Sequence, residues 1–346
     1  MERGLTLTAI SNRTMHVMRL HGAGDMRLHD EPVPAPGPGE SLIRVTAVGV
    51  CGSDLHWFSE AGIGDARLAK PLVLGHEFAG VTEDGQRVAV DPAIACGGCE
   101  YCQAGNPNFC VELRFAGHAE NDGALREYVA WPTRCLYPLP DVLSDADGAM
   151  LEPLGVALHA VDLAHIKPGM TVGVFGCGPI GLLTLQVARA AGATQLVATD
   201  LPSVPHRLEA ARSFGAQVFA ADPHQAEVRE ILAMTGQQGV DVAFEVAGEN
   251  DAVNAALAAV KPGGKVILVG IPADDRTSFT ASVARRKGLT IKLVRRMKLT
   301  YPRAIRLVES GAVDVRALVT GRFPLEKAAE AFAVAARREG VKVVIG

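Results

Sequence analysis

The sequence has almost no excess of charge and no long hydrophobic run free of turn-forming residues. Its 346 residues contain 34 Lys and Arg against 38 Asp and Glu, a formal net charge of −4. A chain so balanced offers no electrostatic attraction for nucleic acid or an anionic membrane, so we expect neither as a partner. The longest uncharged stretch, residues 168–188, has the length of a membrane span, but its five glycines and Pro179 favour a strand, a tight turn and a helix.

The sequence also lacks a secretory signal, an internal repeat and a low-complexity segment. Residues 1–17 have no long apolar core, so we expect a cytoplasmic protein, in which seven cysteines favour metal or redox chemistry over disulfides. Apolar residues make up 48% and charged residues 21%, a composition that excludes global disorder. At about 150 residues per domain, the length predicts two domains.

The chain changes its pattern near the middle. Residues 1–14 form a predicted polar extension, and residues 15–91 contain short apolar runs separated by glycine and proline, which predicts mainly β structure. Residues 92–125 form a turn-rich lobe with four cysteines. From residue 171 to 294, strands alternate with helices, a pattern typical of a parallel sheet covered on both faces. Residues 301–346 predict two helices and a closing strand that fold back onto the first domain.

The lobe contains four cysteines spaced as C-x2-C-x2-C-x7-C, namely Cys96, Cys99, Cys102 and Cys110. Four thiolates make a closed tetrahedral site, so the spacing predicts a structural zinc without an open coordination position. A cluster of reactive thiols and an iron–sulfur site are the alternatives, although the bacterial iron–sulfur pattern has a shorter last interval. Cys135 and Cys177 lie outside the pattern and are interpreted as small buried side chains.

A second set of metal-ligating residue types is spread along the chain, namely Cys51, His76, Glu77 and Glu152. A thiolate, an imidazole and a carboxylate together make a zinc site that leaves one position for water or substrate. Residue types alone leave other interpretations open. His76 could be an ordinary core or loop histidine, and Glu152 could be a carboxylate favoured by the start of a helix.

A glycine-rich turn predicts a dinucleotide site. The sequence G-x-G-x-x-G follows the predicted strand TVGVF and opens an apolar helix, and it comprises Gly176, Gly178, Pro179, Ile180 and Gly181. Asp200 ends the next predicted strand, where a carboxylate accepts hydrogen bonds from the adenosine ribose and repels a 2′-phosphate. NAD is therefore favoured over NADP. The nearby Arg207 is interpreted as flanking the adenine, although an arginine there can also accommodate a 2′-phosphate. The alternative is a plain strand-to-helix turn.

Four segments in this order resemble the zinc-dependent medium-chain alcohol dehydrogenases: CGSDLH from Cys51, GHE from Gly75, the cysteine lobe, and EPLGVALHA from Glu152. The resemblance covers nearly all of the chain from Met15 onward and is strongest to the sorbitol (L-iditol 2-) dehydrogenase and related polyol branch. Glu152 stands where simpler alcohol dehydrogenases have a second cysteine.

The resemblance implies an α/β protein with two domains. A Rossmann domain with a doubly wound parallel sheet, which binds NAD, is expected over residues 165–294. A mainly β, GroES-like catalytic domain is expected from residues 15–164 and 295–346, with the zinc lobe at 92–125. The sequence pattern predicts one helix over residues 143–164, at the end of the catalytic segment 15–164.

The resemblance also implies roles for individual residues. One zinc would be structural, and a catalytic zinc would bind Cys51 and His76, with Glu77 and Glu152 alternating as direct and water-mediated ligands. A secondary alcohol would then lose hydride to the nicotinamide, and its proton would leave through Ser53 and His56, or through Glu152 and a water. Further cofactor-site residues are Val246 and Val269 on the nicotinamide side, and Arg296.

Substrate recognition is the property that the sequence determines least. Arg296 and Glu152 are candidate polyol contacts, and Trp57 and Phe115 are candidate apolar walls. Trp57 and Met297 replace tyrosines of sorbitol-type relatives, so another polyol, a sugar acid such as L-idonate or a simpler secondary alcohol remains open.

Two other functions compete with a polyol dehydrogenase. An L-threonine 3-dehydrogenase-like enzyme is disfavoured by Ser53, since that branch has threonine there. A non-catalytic NAD(H)-binding protein is disfavoured by the complete ligand set. We expect a homodimer or homotetramer that associates through edge strands of the cofactor domain.

Overall fold

The structure, a computed structural model, describes residues 13–346. The polar extension predicted over 1–14 therefore lies outside the described residues up to residue 12, and Thr14 already begins a strand. The strands in chain order are β1 Thr14–Gly22, β2 Asp25–Pro32, β3 Glu40–Gly49, β4 Gly62–Ile63, β5 Ala66–Arg67, β6 Glu77–Thr82, β7 Arg87–Val90, β8 Ala93–Ile94, β9 Arg114–Phe115, β10 Tyr128–Pro132, β11 Leu136–Pro138, β12 Thr171–Phe175, β13 Gln195–Asp200, β14 Gln217–Ala220, β15 Val240–Glu245, β16 Val260–Leu268, β17 Thr290–Leu293, β18 Val319–Phe323 and β19 Lys342–Ile345. The helices are α1 Gly52–Glu60, α2 Glu100–Gln103, α3 Asp145–Ala149, α4 Leu151–Ala164, α5 Pro179–Ala190, α6 Pro205–Ser213, α7 Ala226–Met234, α8 Asn250–Ala259, α9 Ala281–Lys287, α10 Tyr301–Glu309 and α11 Ala328–Ala336.

The first of two compact units is mainly β. It contains residues 13–152 together with residues 319–337 and 342–346. Its main sheet has the strand order β11-β7-β6-β3-β19-β18, with β10 also paired to β3. The closing strand β19 is antiparallel to β3, so the tail completes this sheet as predicted. The helix α1, which follows Cys51, is absent from the predicted β pattern and carries most of the motif CGSDLH in its first turns.

The second unit contains residues 153–318 and 338–341 and is built on six parallel strands. Their order is β14-β13-β12-β15-β16-β17. Numbered within the unit this is 3-2-1-4-5-6, the order of the doubly wound dinucleotide-binding fold. The carboxyl end of β12 lies where the order reverses, which is the place where such sheets bind ligands. The α/β fold class predicted from the sequence is confirmed.

The compact units divide at 152/153 and 318/319, whereas the boundaries predicted from the sequence are at 164/165 and 294/295. The reason is that the two flanking helices are held by the second unit. Lys265 Nζ donates to the carbonyl oxygen of Ala164 at 2.6 Å, and Lys292 Nζ donates to that of Leu163 at 3.1 Å, so both lysines cap the end of α4. The helix α10 joins α4 through the ion pair between Arg303 and Asp162.

One smaller difference separates prediction from structure. The single helix predicted over 143–164 is divided into α3 and α4. Ser144 caps the first of them, since its hydroxyl accepts from the backbone N–H of Asp147 at 3.2 Å. Within residues 13–346, no helix combines the length and apolar character that crossing a bilayer requires.

Candidate active site

The four lobe cysteines are brought together as predicted. Their sulfur atoms lie within 4.8 Å of one another, and those of Cys96 and Cys102 are 4.0 Å apart. Zinc–sulfur bonds of about 2.3 Å in a tetrahedron place sulfurs roughly 3.8 Å apart. The backbone N–H groups of Cys99 and Cys96 point at the sulfurs of Cys96 and Cys110, at 3.3 and 3.2 Å. Such N–H groups stabilise thiolates, and the Cys102 N–H lowers the pKa of Cys99 to about 6. The donor set therefore fits a closed zinc site.

The second set of ligands is only partly assembled. Ligand atoms of Cys51, His76 and Glu77 lie within 4.8 Å of one another. Cys51 immediately precedes α1, while His76 and Glu77 lie where the chain enters β6. Glu152 is buried at the start of α4 and does not belong to this three-residue group. One thiolate, one imidazole and one carboxylate fit a zinc with an open position.

Asp54, which the sequence reasoning missed, holds this set in place. Its Oδ1 lies 3.2 Å from His76 Nδ1, and its Oδ2 accepts from the backbone N–H of Cys51 at 3.1 Å. Burial disfavours a charged His76, but the Asp54 carboxylate and the Cys51 thiolate outweigh burial and raise the pKa of His76. With Nδ1–H donated to Asp54, Nε2 is the nitrogen that faces a metal.

Glu77 has a second neighbour that the sequence did not indicate. Its carboxylate forms an ion pair with Lys342 Nζ, and both side chains are at most 2% exposed. Burial by itself lowers the pKa of Lys342, but the negative charges of Glu77 and Cys51 reverse that effect and raise it, so the pair is a charged one.

The residues predicted for the proton relay and the substrate pocket lie on α1 and in the lobe. Ser53 and His56 are both half-buried and three residues apart on α1, so they share a helix face. His56 Nδ1 lies 3.2 Å from Glu60 Oε1. The Phe115 ring lies 5.0 Å from that of His76, as a wall residue should, whereas Trp57 is 1% exposed and packed in the core.

The glycine-rich turn has the geometry of a phosphate-binding loop. Gly176 adopts φ +111°, and a Cβ there would lie 2.9 Å from the backbone nitrogen of Ala247. A Cβ on Gly181 would collide with the carbonyl oxygen of Gly176, so this glycine packs the helix against the turn. Gly178 caps α5, and a Cβ there would have only Arg207 Nη1 within 4 Å. The open side of Gly178 is where a pyrophosphate approaches the helix N-terminus.

Asp200 and Arg207 flank this turn. Asp200 Oδ2 accepts from the backbone N–H of Cys177 at 2.8 Å, and Oδ1 accepts from that of Leu201 at 2.7 Å. The carboxylate thus ties the turn to the end of β13. Arg207 Nε and Nη2 donate to the carbonyl oxygen of Gly340 at 3.2 and 3.0 Å, and Nη1 lies 3.9 Å from the Cβ position of Gly178.

The remaining predicted cofactor residues follow strands of the second unit. Val246 comes directly after β15 and Val269 directly after β16, both half-buried. Glu245 shapes the first of these loops, because its Oε1 accepts from the N–H groups of Ala247 and Gly248, both at 2.7 Å. Arg296 follows β17 with φ +55°, a strained conformation of the kind that occurs at ligand sites.

Comparisons with known proteins agree with this geometry. Two family models match: zinc-binding dehydrogenase over residues 179–310, and alcohol dehydrogenase GroES-like domain over residues 37–141. Sorbitol dehydrogenase of Bacillus subtilis (strain 168) is 36% identical over 353 aligned residues that cover 99% of both chains. An Escherichia coli oxidoreductase/dehydrogenase of unknown specificity superposes with a TM-score of 0.90 at 32% identity, covering 96% of this chain and 99% of that one. L-Idonate 5-dehydrogenase of Escherichia coli superposes with a TM-score of 0.88 at 27% identity, covering 96% and 98%.

The chain belongs to the zinc-dependent medium-chain alcohol dehydrogenases, with one Rossmann and one GroES-like domain. Within that family it is an NAD-dependent zinc oxidoreductase, and sorbitol dehydrogenases are among its relatives. The family, the enzyme class and the two cofactors predicted from the sequence are confirmed.

Asp54→Asn should weaken zinc binding at the Cys51 set roughly 10- to 100-fold, the usual effect of removing a buried partner of a metal-bound histidine. Zinc retained per chain after dialysis against a graded chelator measures the effect. Asp84→Asn, in an exposed turn, is the matched control and should retain zinc as the parent does. Equal retention by the two variants would mean that Asp54 does not support the metal.

Proposed function

We propose that this protein interconverts a polyol and the corresponding ketose by NAD-linked hydride transfer at a secondary hydroxyl. The observation that carries the proposal is the group formed by Cys51, His76 and Glu77, because its ligand atoms converge and no fourth ligand from residues 13–346 joins them. A zinc site with an open position is the form found in catalysis.

The residues of this set and its neighbours have separate roles in the proposed reaction. When bound, zinc supplies a Lewis acid for the substrate oxygen, and NAD⁺ accepts the hydride. Cys51 and His76 hold the metal, and Asp54 keeps the His76 ring in one tautomer. Ser53 accepts the substrate's hydroxyl proton as its own proton passes to His56, and His56 releases a proton towards solvent, where Glu60 is 51% exposed. Glu152 is the rival proton acceptor.

The second unit holds the coenzyme in this proposal. Gly178 and the start of α5 bind the pyrophosphate, and Asp200 accepts from the adenosine ribose hydroxyls. Val246 and Val269 follow the strands on the other side of the switch point and contact the nicotinamide half.

Two residues predicted to line the substrate site differ from the tyrosines of sorbitol-type relatives. Trp57 and Met297 are both buried, at 1% and 6% exposure, and neither offers the hydroxyl that tyrosine would. Met297 packs on Gly155, where a Cβ would overlap its sulfur. Arg296, next in the chain, remains the candidate for a polar substrate contact. A site with fewer hydroxyl partners discriminates less against simpler secondary alcohols.

A substrate screen combined with a zinc assay tests the proposed function. NAD⁺ reduction would be followed with sorbitol, xylitol, ribitol, galactitol, L-idonate, L-threonine and simple secondary alcohols. We expect two zinc ions per chain and the highest kcat/KM on a polyol. L-Idonate as best substrate would replace the proposal with the activity of the relative of that name. One zinc per chain and no turnover would indicate a non-catalytic NAD(H)-binding protein.

We also propose a cytoplasmic homodimer or homotetramer. The edge strand β17 supports association, because among the described residues it pairs only with β16 and its Leu293 side chain is 74% exposed. Sedimentation velocity measures the assembly, and a monomer at micromolar concentration would overturn it.

A further inference from the structure

Glu245 is a buried carboxylate of the second unit that lies outside both metal-ligand groups and has no role in the reaction proposed above. It is the last residue of β15 and is 1% exposed. Its Oε1 accepts from the backbone N–H groups of Ala247 and Gly248, both at 2.7 Å. One carboxylate oxygen therefore fixes the turn that follows the strand.

The main chain of Glu245 joins this turn to the loop after β16. Its carbonyl oxygen accepts from the N–H groups of Val269 at 2.8 Å and Gly270 at 3.2 Å. The two loops are so close that a Cβ on Gly270 would collide with the backbone nitrogen of Gly248 and would lie 2.9 Å from Glu245 Oε2. The same residue thus holds one loop through its side chain and the other through its main chain.

Both loops lie at the edge of the sheet where a dinucleotide-binding fold holds its ligand. The glycine turn and Asp200 belong to the first half of the sheet, β12 to β14, and the second half begins at β15. Each half of such a sheet receives one nucleotide of the coenzyme. Because the adenosine half is assigned to Asp200, the turn after β15 and the loop after β16 receive the nicotinamide half.

The turns that precede α5 and α8 differ in what occupies their N–H groups. The turn before α5 is open at Gly178, as described above. The turn before α8 is filled by the carboxylate of Glu245. Burial raises the pKa of Glu245, and the N–H groups of Gly248, Ala247 and Glu249 oppose that rise. Since a phosphate binds where N–H groups are free, the turn after β15 is built as a fixed wall and not as a second phosphate site.

We propose that Glu245 is a positioning residue for the coenzyme, which holds the turn after β15 and the loop after β16 in the conformation that receives the nicotinamide half. The proposal rests on the proposed function in placing the nicotinamide beside Val246 and Val269. Without the carboxylate, two buried N–H groups lose their acceptor, and the turn must move to satisfy them. Only a fraction of the molecules then has the binding conformation, and the apparent affinity falls by that fraction.

The test compares the binding of two ligands to the purified full-length protein by isothermal titration calorimetry. The ligands are NADH and ADP-ribose, which lacks the nicotinamide ring. Glu245→Leu keeps the approximate size of the side chain and removes the acceptor oxygen. We expect the ratio of the Kd for ADP-ribose to the Kd for NADH to fall roughly 10-fold, as one buried N–H without an acceptor would cause. Glu245→Gln, which keeps an acceptor oxygen, should retain the ratio of the parent.

The matched control is Glu227→Leu, the same chemical change at another buried glutamate of this unit. Glu227 also accepts a backbone N–H, from Asp222 at 3.1 Å, but it lies on α7. This variant should leave the ratio of the two dissociation constants as it is in the parent. Glu245→Ala, whose side chain is smaller than that of glutamate, serves if Glu245→Leu folds poorly, and it should also lower the ratio.

An unchanged ratio in Glu245→Leu or Glu245→Ala would overturn the proposal. If both ligands bound more weakly by the same factor, Glu245 would support only the fold of the unit. A Glu245→Gln protein with a ratio as low as that of Glu245→Leu would contradict the role given to the acceptor oxygen. Neither titration uses a substrate, so a failed substrate screen would contradict the proposed function and leave this test intact.

Discussion

Cys51→Ser should reduce kcat/KM roughly 1000-fold or more while leaving the protein folded and able to bind NADH. Serine is not ionised near neutral pH, so it cannot supply the thiolate that binds zinc. Without the metal, the several kcal/mol of charge stabilisation that a Lewis acid supplies are lost, and each 1.4 kcal/mol is about tenfold in rate. NADH fluorescence should be unchanged, because the glycine turn and Asp200 belong to the other unit.

The matched control is Cys135→Ser, the same chemical change at a buried cysteine of the same unit outside both ligand sets. It should retain two zinc ions and at least half of the parent turnover, whereas Cys51→Ser should retain one zinc ion. Full turnover by Cys51→Ser, or two zinc ions retained in it, would remove Cys51 from the catalytic site.

The features that could be predicted from the sequence are those whose residues lie close together in the chain. Cys96 to Cys110 span one turn-rich segment, so backbone N–H groups and a short helix suffice to bring the sulfurs together. The same holds for the turn from Gly176 to Gly181, where strand, turn and helix follow one another in the chain. Local patterns of this kind need no knowledge of distant packing.

What the sequence could not predict depends on residues that meet only after folding. Lys342 is a lone cation in an apolar closing strand, and only the order β6-β3-β19 places it on Glu77. The limits of the compact units also depend on distant residues, since Lys265 and Lys292 hold α4 in the second unit through hydrogen bonds to its last carbonyls. Asp54 could have been predicted from the sequence. A carboxylate three residues after the residue that caps a helix, here Cys51, is placed to accept a hydrogen bond from the backbone N–H of that residue.

Asp200→Ser is expected to lower kcat/KM for NAD⁺ roughly 100-fold and to change that for NADP⁺ much less, so the preference between the coenzymes narrows. Each oxygen of Asp200 already accepts one backbone N–H, from Cys177 and Leu201, and each retains a lone pair for a ribose hydroxyl. Two charge-assisted hydrogen bonds of about 1.5 kcal/mol each account for that factor.

The same substitution also removes the hydrogen bond between the end of β13 and the glycine turn. For that reason kcat/KM should decrease to some extent with both coenzymes. Asp200→Asn separates the two effects, because it retains an oxygen for Cys177 and removes the charge that repels a 2′-phosphate. Asp222→Ser, after the neighbouring strand β14, is the control and should leave the ratio of the two efficiencies as it is in the parent. Steady-state kinetics with both coenzymes measure the ratio of kcat/KM for NAD⁺ to that for NADP⁺. An unchanged ratio in Asp200→Ser would mean that another group binds the ribose hydroxyls. Arg207, whose Nη1 lies 3.9 Å from a Cβ position on Gly178, would then be the next residue to substitute.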